Sequence, residues 1–207
     1  MTSAAHNRSA SPTVQTAPGV TLVNPKNPRA GVVIASHYCF AAAGVQFQCY
    51  RRNTFQQDTQ TAIGVKNCLR VVGTVRHGRN DYASPTDGDE SISLEVSGDA
   101  LLGVASVLAG DRFEHVVTVP RPDHEIKTLL LRHQPKTPEK PFYIEMSEGK
   151  RYVRTSVPAY HAWAFRMVVA HVLRLYFPSM EAGLLLSTFT DAARFLPPVV
   201  LNEVSHG

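Results

Sequence analysis

Alternating apolar and polar positions predict short strands in the first half of the chain. Residues 45–50 alternate strictly, residues 91–96 place an apolar side chain at every second position, and residues 68–76 are rich in β-branched side chains. A period of two is typical of a strand with one buried face. We therefore predict strands over these three segments.

A helical period follows the strand at residues 91–96. Ser97 is the expected N-cap, Asp99 favours the first turn, and Gly110 stands where the helix should end. The spacing predicts one apolar helical face built from Leu101, Val104, Ala105 and Leu108.

The second half repeats the order of strands and then a helix. The residues at 147–150 (Ser-Glu-Gly-Lys) are typical of a tight hairpin turn. A helix should follow, capped by Thr155 or Ser156, with Pro158 in its first turn and Pro178 just beyond its end near residue 177. The strands predicted here are 113–119, 126–132, 142–146 and 152–155.

The long second helix carries large apolar side chains on more than one face. A helix of this kind must be buried on nearly all sides. Burial against another subunit is favoured in a chain this small, and the alternative is a central core helix within one chain. The side chains concerned are Tyr160, Trp163, Phe165, Met167, Val168, Val169, Val172, Leu175 and Tyr176.

The two ends differ from the middle of the chain. Residues 1–30 are rich in Ala, Ser, Thr, Asn and Pro, and the first acidic residue is Asp58. We predict a disordered tail there, and its composition fits either a targeting remnant or a plain flexible tail. The predicted domain spans residues 31–178, and a helical extension is expected over residues 179–207.

Composition narrows the class of protein without deciding it. The 207 residues are 43% hydrophobic and carry a formal charge of +4, so only the placement of the charge is informative. No apolar run approaches the ~20 residues needed to span a bilayer. Three cysteines, Cys39, Cys49 and Cys68, form no paired motif and are expected to be reduced packing residues.

The polar residues form no recognised catalytic or metal-binding motif. His161 and His171 lie ten positions apart, which is not the spacing of a zinc pair, and His37 near Cys39 lacks further ligands. The chain has no P-loop, dinucleotide fingerprint, nucleophile elbow or kinase signature. We expect a protein that is not an enzyme and binds no metal or cofactor.

Cationic residues cluster in or beside the predicted strands, together with tyrosines such as Tyr50 and Tyr152. Cations bind phosphates and flat rings stack on bases, so such a sheet face suits single-stranded nucleic acid. The alternative is a set of ordinary solvent-facing strand residues. The candidate nucleic-acid-binding residues are Arg51, Arg52, Lys66, Arg70, Arg76, Lys127, Arg132, Tyr143, Lys150 and Arg154.

The order of elements resembles the Whirly fold and, within it, the mitochondrial guide-RNA-binding proteins of kinetoplastids. The residues that carry this resemblance are 61–76 (TAIGVKNCLRVVGTVR), 91–109 (SISLEVSGDALLGVASVLA) and 141–177. The resemblance implies an α+β fold of two strand–strand–strand–strand–helix units, with antiparallel sheets and helices packed at a subunit interface. Plant members carry a Lys-Gly-Lys-Ala-Ala-Leu strand, which residues 64–69 (GVKNCL) match only distantly. This departure favours the guide-RNA-binding branch.

The resemblance also implies a function. Such proteins form tetramers through their helices, often from two related subunits, and hold guide RNA on a basic β-sheet surface. They promote annealing of that RNA to a complementary strand during mitochondrial RNA editing. Two alternatives stay open, namely a structural protein of a mitochondrial ribonucleoprotein such as a ribosome, and a Whirly-type protein that binds single-stranded DNA.

Overall fold

The computed structural model describes residues 14–57, 59, 61–120, 124–179 and 181. Six strands precede the first helix, α1 (Asp99–Ala109), four of them in the first sheet, and four more precede the second, α2 (Ala159–Tyr176). The first sheet has the strand order β1-β2-β3-β6 and the second β10-β9-β8-β7. The strands are β1 (Val32–Phe40), β2 (Gly44–Phe55), β3 (Ala62–Thr74), β6 (Ser91–Val96), β7 (Glu114–Val119), β8 (Lys127–His133), β9 (Phe142–Glu148) and β10 (Arg151–Val157).

The predicted α+β architecture of two four-strand-plus-helix units is confirmed. β3 and β6 are antiparallel, and so are the neighbouring strands of the second sheet. A short two-stranded ribbon, β4 (Arg76–Gly78) and β5 (Asp81–Tyr82), was not predicted and lies between β3 and β6 in the chain. Packing of the helices at a subunit interface remains a prediction.

The chain divides into two compact units. The hairpin unit comprises residues 1–32 and 51–66, and its described part begins at residue 14. The two-sheet unit comprises residues 33–50 and 67–207, and its described part ends at residue 181. Strands β2 and β3 are divided between the units. Residues 51–55 of β2 and 62–66 of β3 belong to the hairpin unit, and the rest of each strand belongs to the two-sheet unit.

The core of the two-sheet unit follows the predicted apolar faces. Leu101, Val104 and Leu108 of α1 are at most 2% exposed, which confirms the predicted helical stripe. Phe47 of β2 stacks on Phe165 of α2 with ring centroids 4.1 Å apart, so the first sheet packs directly on the second helix. Burial of these side chains is the main source of stability for such a fold.

Helix α2 is both a core helix and an exposed one. One face is buried in the core, with Phe165, Val169 and Val172 fully inaccessible to solvent. The opposite face leaves Tyr160, Trp163 and Met167 between 45% and 68% exposed. The single-chain interpretation therefore accounts for the buried face of the helix, and burial of the exposed stripe against a partner remains a prediction.

Two helix starts differ from the sequence predictions. α1 has Gly98 as its N-cap, not Ser97, at φ 57, a left-handed conformation that glycine adopts without a steric penalty. α2 has Pro158 as its N-cap, and the predicted caps Thr155 and Ser156 are wrong because both residues lie within β10. Strand pairing with β9 continues through Val157, so the chain is not free to turn earlier.

Strand β1 was missed because its sequence, VVIASHYCF, places apolar side chains on both faces and shows no clear alternation. In the hairpin unit, residues 15–17 pair with Ala62, where the Ala17 amide donates to the Ala62 carbonyl at 2.9 Å. Asn53 accepts from the Val23 amide at 2.9 Å and donates to the Pro28 carbonyl at 2.8 Å. The predicted tail and domain boundaries stay predictions, and most of the C-terminal extension lies outside the described residues.

Candidate nucleic-acid interface

Each four-stranded sheet has one face on the core and an outer face that points away from it. In β3, Leu69 and Val71 belong to the core, so Arg70 lies on the outer face. Glu95 of β6 is the direct register partner of Arg70 across the sheet. Within the two-sheet unit, the outer face of the first sheet therefore carries Arg70 with an acidic neighbour.

Arg70 also lies over an aromatic ring. Its guanidinium carbon is 5.0 Å from the ring centroid of Tyr50 in β2. This geometry is a cation–π contact, and it presents a flat cation beside a flat ring. The pairing of β2 with β3 thus brings together Tyr50 and Arg70, two residues that the sequence analysis predicted to lie in or beside strands.

Three further aromatic rings form a row on the outer face of the first sheet and its ribbon. Tyr38 and Phe40 of β1 stack with centroids 5.7 Å apart, and Phe40 lies 4.8 Å from Tyr82 of β5. The Arg76 guanidinium lies 5.7 Å from the Tyr82 ring on the ribbon. Sequence reasoning identified Arg76 but missed the three rings; two aromatic residues at positions i and i+2 of β1 were the available signal.

The second sheet gathers three of the predicted residues on its outer face. Arg132 of β8 is the register partner of Tyr143 in β9, and Arg154 of β10 is the partner of Glu145. Tyr152, which is 60% exposed, lies under the Arg154 guanidinium at 5.3 Å. Arg132, Tyr143 and Arg154 therefore share one surface.

This second surface is nearly neutral. Arg132 forms an ion pair with Glu114, and the Tyr143 hydroxyl donates to the Glu145 carboxylate at 2.6 Å. Burial and the bond to Glu145 raise the pKa of Tyr143 to about 12, so the phenol stays protonated near neutral pH. Two arginines facing two glutamates give an aromatic and polar face without a strong positive field.

Two other predicted residues of the second sheet lie elsewhere. Lys127 pairs in register with Val119 on the core side, forms an ion pair with Glu148 at 3.3 Å, and is 13% exposed. Its ammonium also donates to the Ser93 carbonyl at 3.0 Å, so it is a structural cation and not part of the outer face. Lys150 lies at the exposed β9–β10 turn.

The remaining predicted cations belong to the hairpin unit. A side chain at Gly64 would lie 3.2 Å from the Thr54 hydroxyl, so these two positions face each other on β2 and β3. Arg52 and Lys66, two positions further along each strand, share that face. Arg51 lies on the opposite face, the side on which Asn53 binds the N-terminal segment and Arg29 stacks on Phe55 at 5.8 Å.

Charge is unevenly divided between the two units. Residues 1–32 and 51–66 contain six Lys or Arg against a single acidic residue. Residues 33–50 and 67–207 contain fifteen Lys or Arg against sixteen acidic residues. The positive balance of the chain therefore comes entirely from the hairpin unit.

Other kinds of site have little support among the described residues. No group of three or more His, Cys, Asp or Glu side chains there is placed to hold a metal ion.

His37 and His161 bond to each other at 2.8 Å, and burial together with His161 lowers the pKa of His37. The three cysteines are buried and form no disulfide with one another, as predicted. Within the part of the chain that the structure describes, neither helix has the length and apolarity to span a bilayer.

Comparison with known proteins finds solved structures with a similar arrangement of strands and helices. No protein-family model matches the chain, and no curated protein matches its sequence. The plant transcriptional regulator PBF-2 aligns at a TM-score of 0.48 and 12% identity, covering 81% of this chain and 96% of that one. WHY3 from Arabidopsis thaliana aligns at 0.46 and 11%, covering 80% and 98%, and WHY1 from the same plant at 0.47 and 12%, covering 72% and 94%.

Proposed function

We propose that the chain is a non-catalytic protein that binds single-stranded nucleic acid. The observation that carries this proposal is the repeated pairing of an arginine with an aromatic ring on the outer faces and the ribbon. The three pairs are Arg70 with Tyr50, Arg76 with Tyr82, and Arg154 with Tyr152.

Such pairs suit an unpaired strand better than a duplex. An unpaired base exposes its flat face, which stacks on an aromatic ring, and the neighbouring guanidinium can contact the phosphate or stack in turn. In a duplex the base faces are hidden, and recognition would need a helix or ribbon that enters a groove. Of the three rings in these pairs, Tyr152 is 60% exposed, and Tyr50 and Tyr82 are half-buried.

The hairpin unit supplies the positive charge that phosphates require. Its described part includes Lys26, Arg29, Arg51, Arg52 and Lys66. Each phosphate neutralised on a single strand releases counterions and makes binding dependent on salt. Phosphate contacts from this unit are therefore expected to supply most of the salt-dependent affinity.

The resemblance to guide-RNA-binding proteins supports RNA as the strand and annealing as the outcome. A strand held by its phosphates presents its base edges to a complementary strand, and no bond is made or broken. Assembly with a related subunit, through the exposed stripe of α2, and a mitochondrial site of action belong to the same proposal. The acid-poor N-terminal sequence is in keeping with import into that organelle.

The test is a fluorescence-anisotropy titration of two unrelated RNAs and of DNA with the same sequence, at several salt concentrations. We expect the logarithm of the affinity to fall with the logarithm of salt by about 0.7 for each phosphate contact. Arg70→Ala should weaken both RNAs alike, whereas Lys136→Ala, in the exposed loop before β9, should change neither. A flat salt response would contradict the proposal.

A structural role in a ribonucleoprotein is the second candidate. The observation that favours it is the exposed apolar stripe of α2 combined with the nearly neutral outer face of the second sheet. Weak affinity of the purified protein for isolated RNA, together with co-sedimentation with a large particle, would favour this role over annealing.

A further inference from the structure

A cleft lies between the outer face of the first sheet and the β4–β5 ribbon. Its volume is about 360 Å³. It lies wholly within the two-sheet unit, and its lining combines aromatic walls with a polar floor and rim. The residues used below are Tyr38, Phe40, Gln46, Asn80, Asp81 and Tyr82.

The aromatic wall of the cleft is held in place from behind. The Tyr82 hydroxyl donates to the Ala41 carbonyl at 2.9 Å, and an Arg76 guanidinium nitrogen donates to the same carbonyl at 3.1 Å. Phe40, although 55% exposed, stacks on Tyr38 on one side and contacts the tilted ring of Tyr82 on the other. The rings are therefore arranged before any ligand arrives, and this lowers the entropic cost of stacking a further flat ring.

The floor of the cleft contains a polar group that is not fully satisfied. Gln46 is only 3% exposed, and its side-chain oxygen accepts a hydrogen bond from the Gln48 amide nitrogen at 2.7 Å. That bond leaves the Gln46 amide nitrogen as a donor, and no described residue accepts from it. Gln46 lines the cleft, so a ligand with an acceptor at this position can use this donor.

The rim offers the complementary chemistry. Asp81 provides a carboxylate acceptor and Asn80 an amide, and Asn80 occupies a left-handed conformation at φ 62 that asparagine tolerates. A nucleobase is flat and aromatic, and its edge carries both acceptors and donors. The cleft offers an aromatic wall, an amide donor and an exposed carboxylate together, and a nucleobase matches all three.

Arg76 adds a phosphate-binding group beside the cleft. Its hydrogen bonds go to the neutral carbonyls of Ala41 and Gly78, so its positive charge is not cancelled by these contacts. A nucleotide whose base stacks on Tyr82 would place its phosphate near this guanidinium. The arrangement thus fits a nucleotide within a strand, with base and phosphate recognised by adjacent groups.

From these observations we infer that the cleft binds one unpaired nucleobase of a bound strand, an inference that rests on the proposed function. The base stacks on the wall of Tyr38, Phe40 and Tyr82 and accepts a hydrogen bond from Gln46. Such a site gives an otherwise sequence-tolerant protein one position at which the base itself contributes to affinity.

The experiment compares a 12-nucleotide oligouridine with an abasic strand of the same length, in fluorescence anisotropy at one salt concentration. Wild-type protein should bind oligouridine more tightly. Phe40→Ala should weaken oligouridine binding about 5- to 150-fold, the range expected for one stacked base, and leave the abasic strand unaffected. Phe113→Ala, which removes a phenylalanine that is 61% exposed and does not line the cleft, should change neither strand.

The outcomes separate this inference from the proposed function. Failure of the wild-type protein to bind either strand would overturn both. Equal binding of the two strands by wild type, or an equal loss for both strands in Phe40→Ala, would leave phosphate binding intact and overturn the base site. Free uridine monophosphate should not displace the strand at micromolar concentration; if it does, the cleft is a free-nucleotide site and the strand-based inference is wrong.

Discussion

The hairpin unit and the two-sheet unit use charge in opposite ways. In the two-sheet unit fifteen Lys or Arg are balanced by sixteen acidic residues, and ion pairs join Arg132 to Glu114 and both Lys127 and Arg151 to Glu148. In the hairpin unit, six cationic residues accompany one acidic residue. The larger unit builds the core and the stacking surfaces, and the smaller one carries the excess charge.

This difference shows how a mildly basic chain can bind a polyanion. A net charge of +4 spread evenly over 207 residues would give a weak field. The same excess concentrated in 48 residues, with acids removed from that region, gives a local potential that attracts phosphates. Composition averaged over the chain therefore understates the electrostatics of the hairpin unit.

The largest expected effect comes from reversing charge in the hairpin unit. Arg52→Glu combined with Lys66→Glu should lower the affinity for single-stranded RNA by on the order of 100-fold near 50 mM salt and flatten the salt slope by about 1.4, two contacts at about 0.7 each. The matched control, Lys136→Glu with Lys140→Glu, makes the same charge change in the β8–β9 loop. Equal losses from both pairs would show that only total charge matters and would remove the distinction between the units.

The next effect concerns assembly through α2. Trp163→Asp places a charge in the exposed apolar stripe and should weaken subunit association by about 2 kcal/mol or more, as for a buried aromatic anchor. Analytical ultracentrifugation measures the result, and Ile126→Asp, at another exposed apolar residue, is the control. A wild-type chain that stays monomeric at micromolar concentration, alone and with a related subunit, would contradict this prediction.

Glycine substitutions compare the packing of the two units. A side chain at Gly103 would lie 2.3 Å from the His115 ring between α1 and β7, so Gly103→Ala should lower the free energy of unfolding by about 2 kcal/mol despite the better helix propensity of alanine. At Gly64 in the hairpin unit the nearest atom is the movable Thr54 hydroxyl, and Gly64→Ala should stay within about 0.5 kcal/mol. Urea unfolding of both variants measures these free energies. Similar losses of stability in the two variants would mean that the units are packed equally tightly.

The smallest effect is a pH dependence in the two-sheet unit. Burial, helped by Arg112, lowers the pKa of His115 to about 4, against an unfolded value of 6.5. The unfolded chain therefore binds more protons between these values, and stability should fall as the pH drops, by about 1–2 kcal/mol between pH 7 and pH 5. Urea unfolding of His115→Gln should show a reduced dependence, with His171→Gln, on the exposed face of α2, as the control. An unchanged dependence in His115→Gln would assign the effect to other groups.

Local signals predicted the elements that have one buried face. Side chains repeat with a fixed period along a strand and along a helix, and each of these elements packs one face on the core. The alternation at residues 91–96 and the stripe of Leu101, Val104 and Leu108 could therefore be predicted from the sequence alone. Strand β1 and the caps of both helices could not be read in this way. β1 is apolar on both faces, and each helix start depends on where the preceding chain stops pairing or turns through Gly98.

For the candidate interface, the sequence by itself determined which residue types are present and that the positive excess lies in residues 1–32 and 51–66 once those segments are grouped. Tertiary structure decided which of them share a surface. Lys127 and Arg132, five positions apart on one strand, lie on opposite faces because strand side chains alternate. Tyr82 meets Phe40 only because the ribbon folds over the first sheet, a contact between residues 42 positions apart that no local pattern encodes.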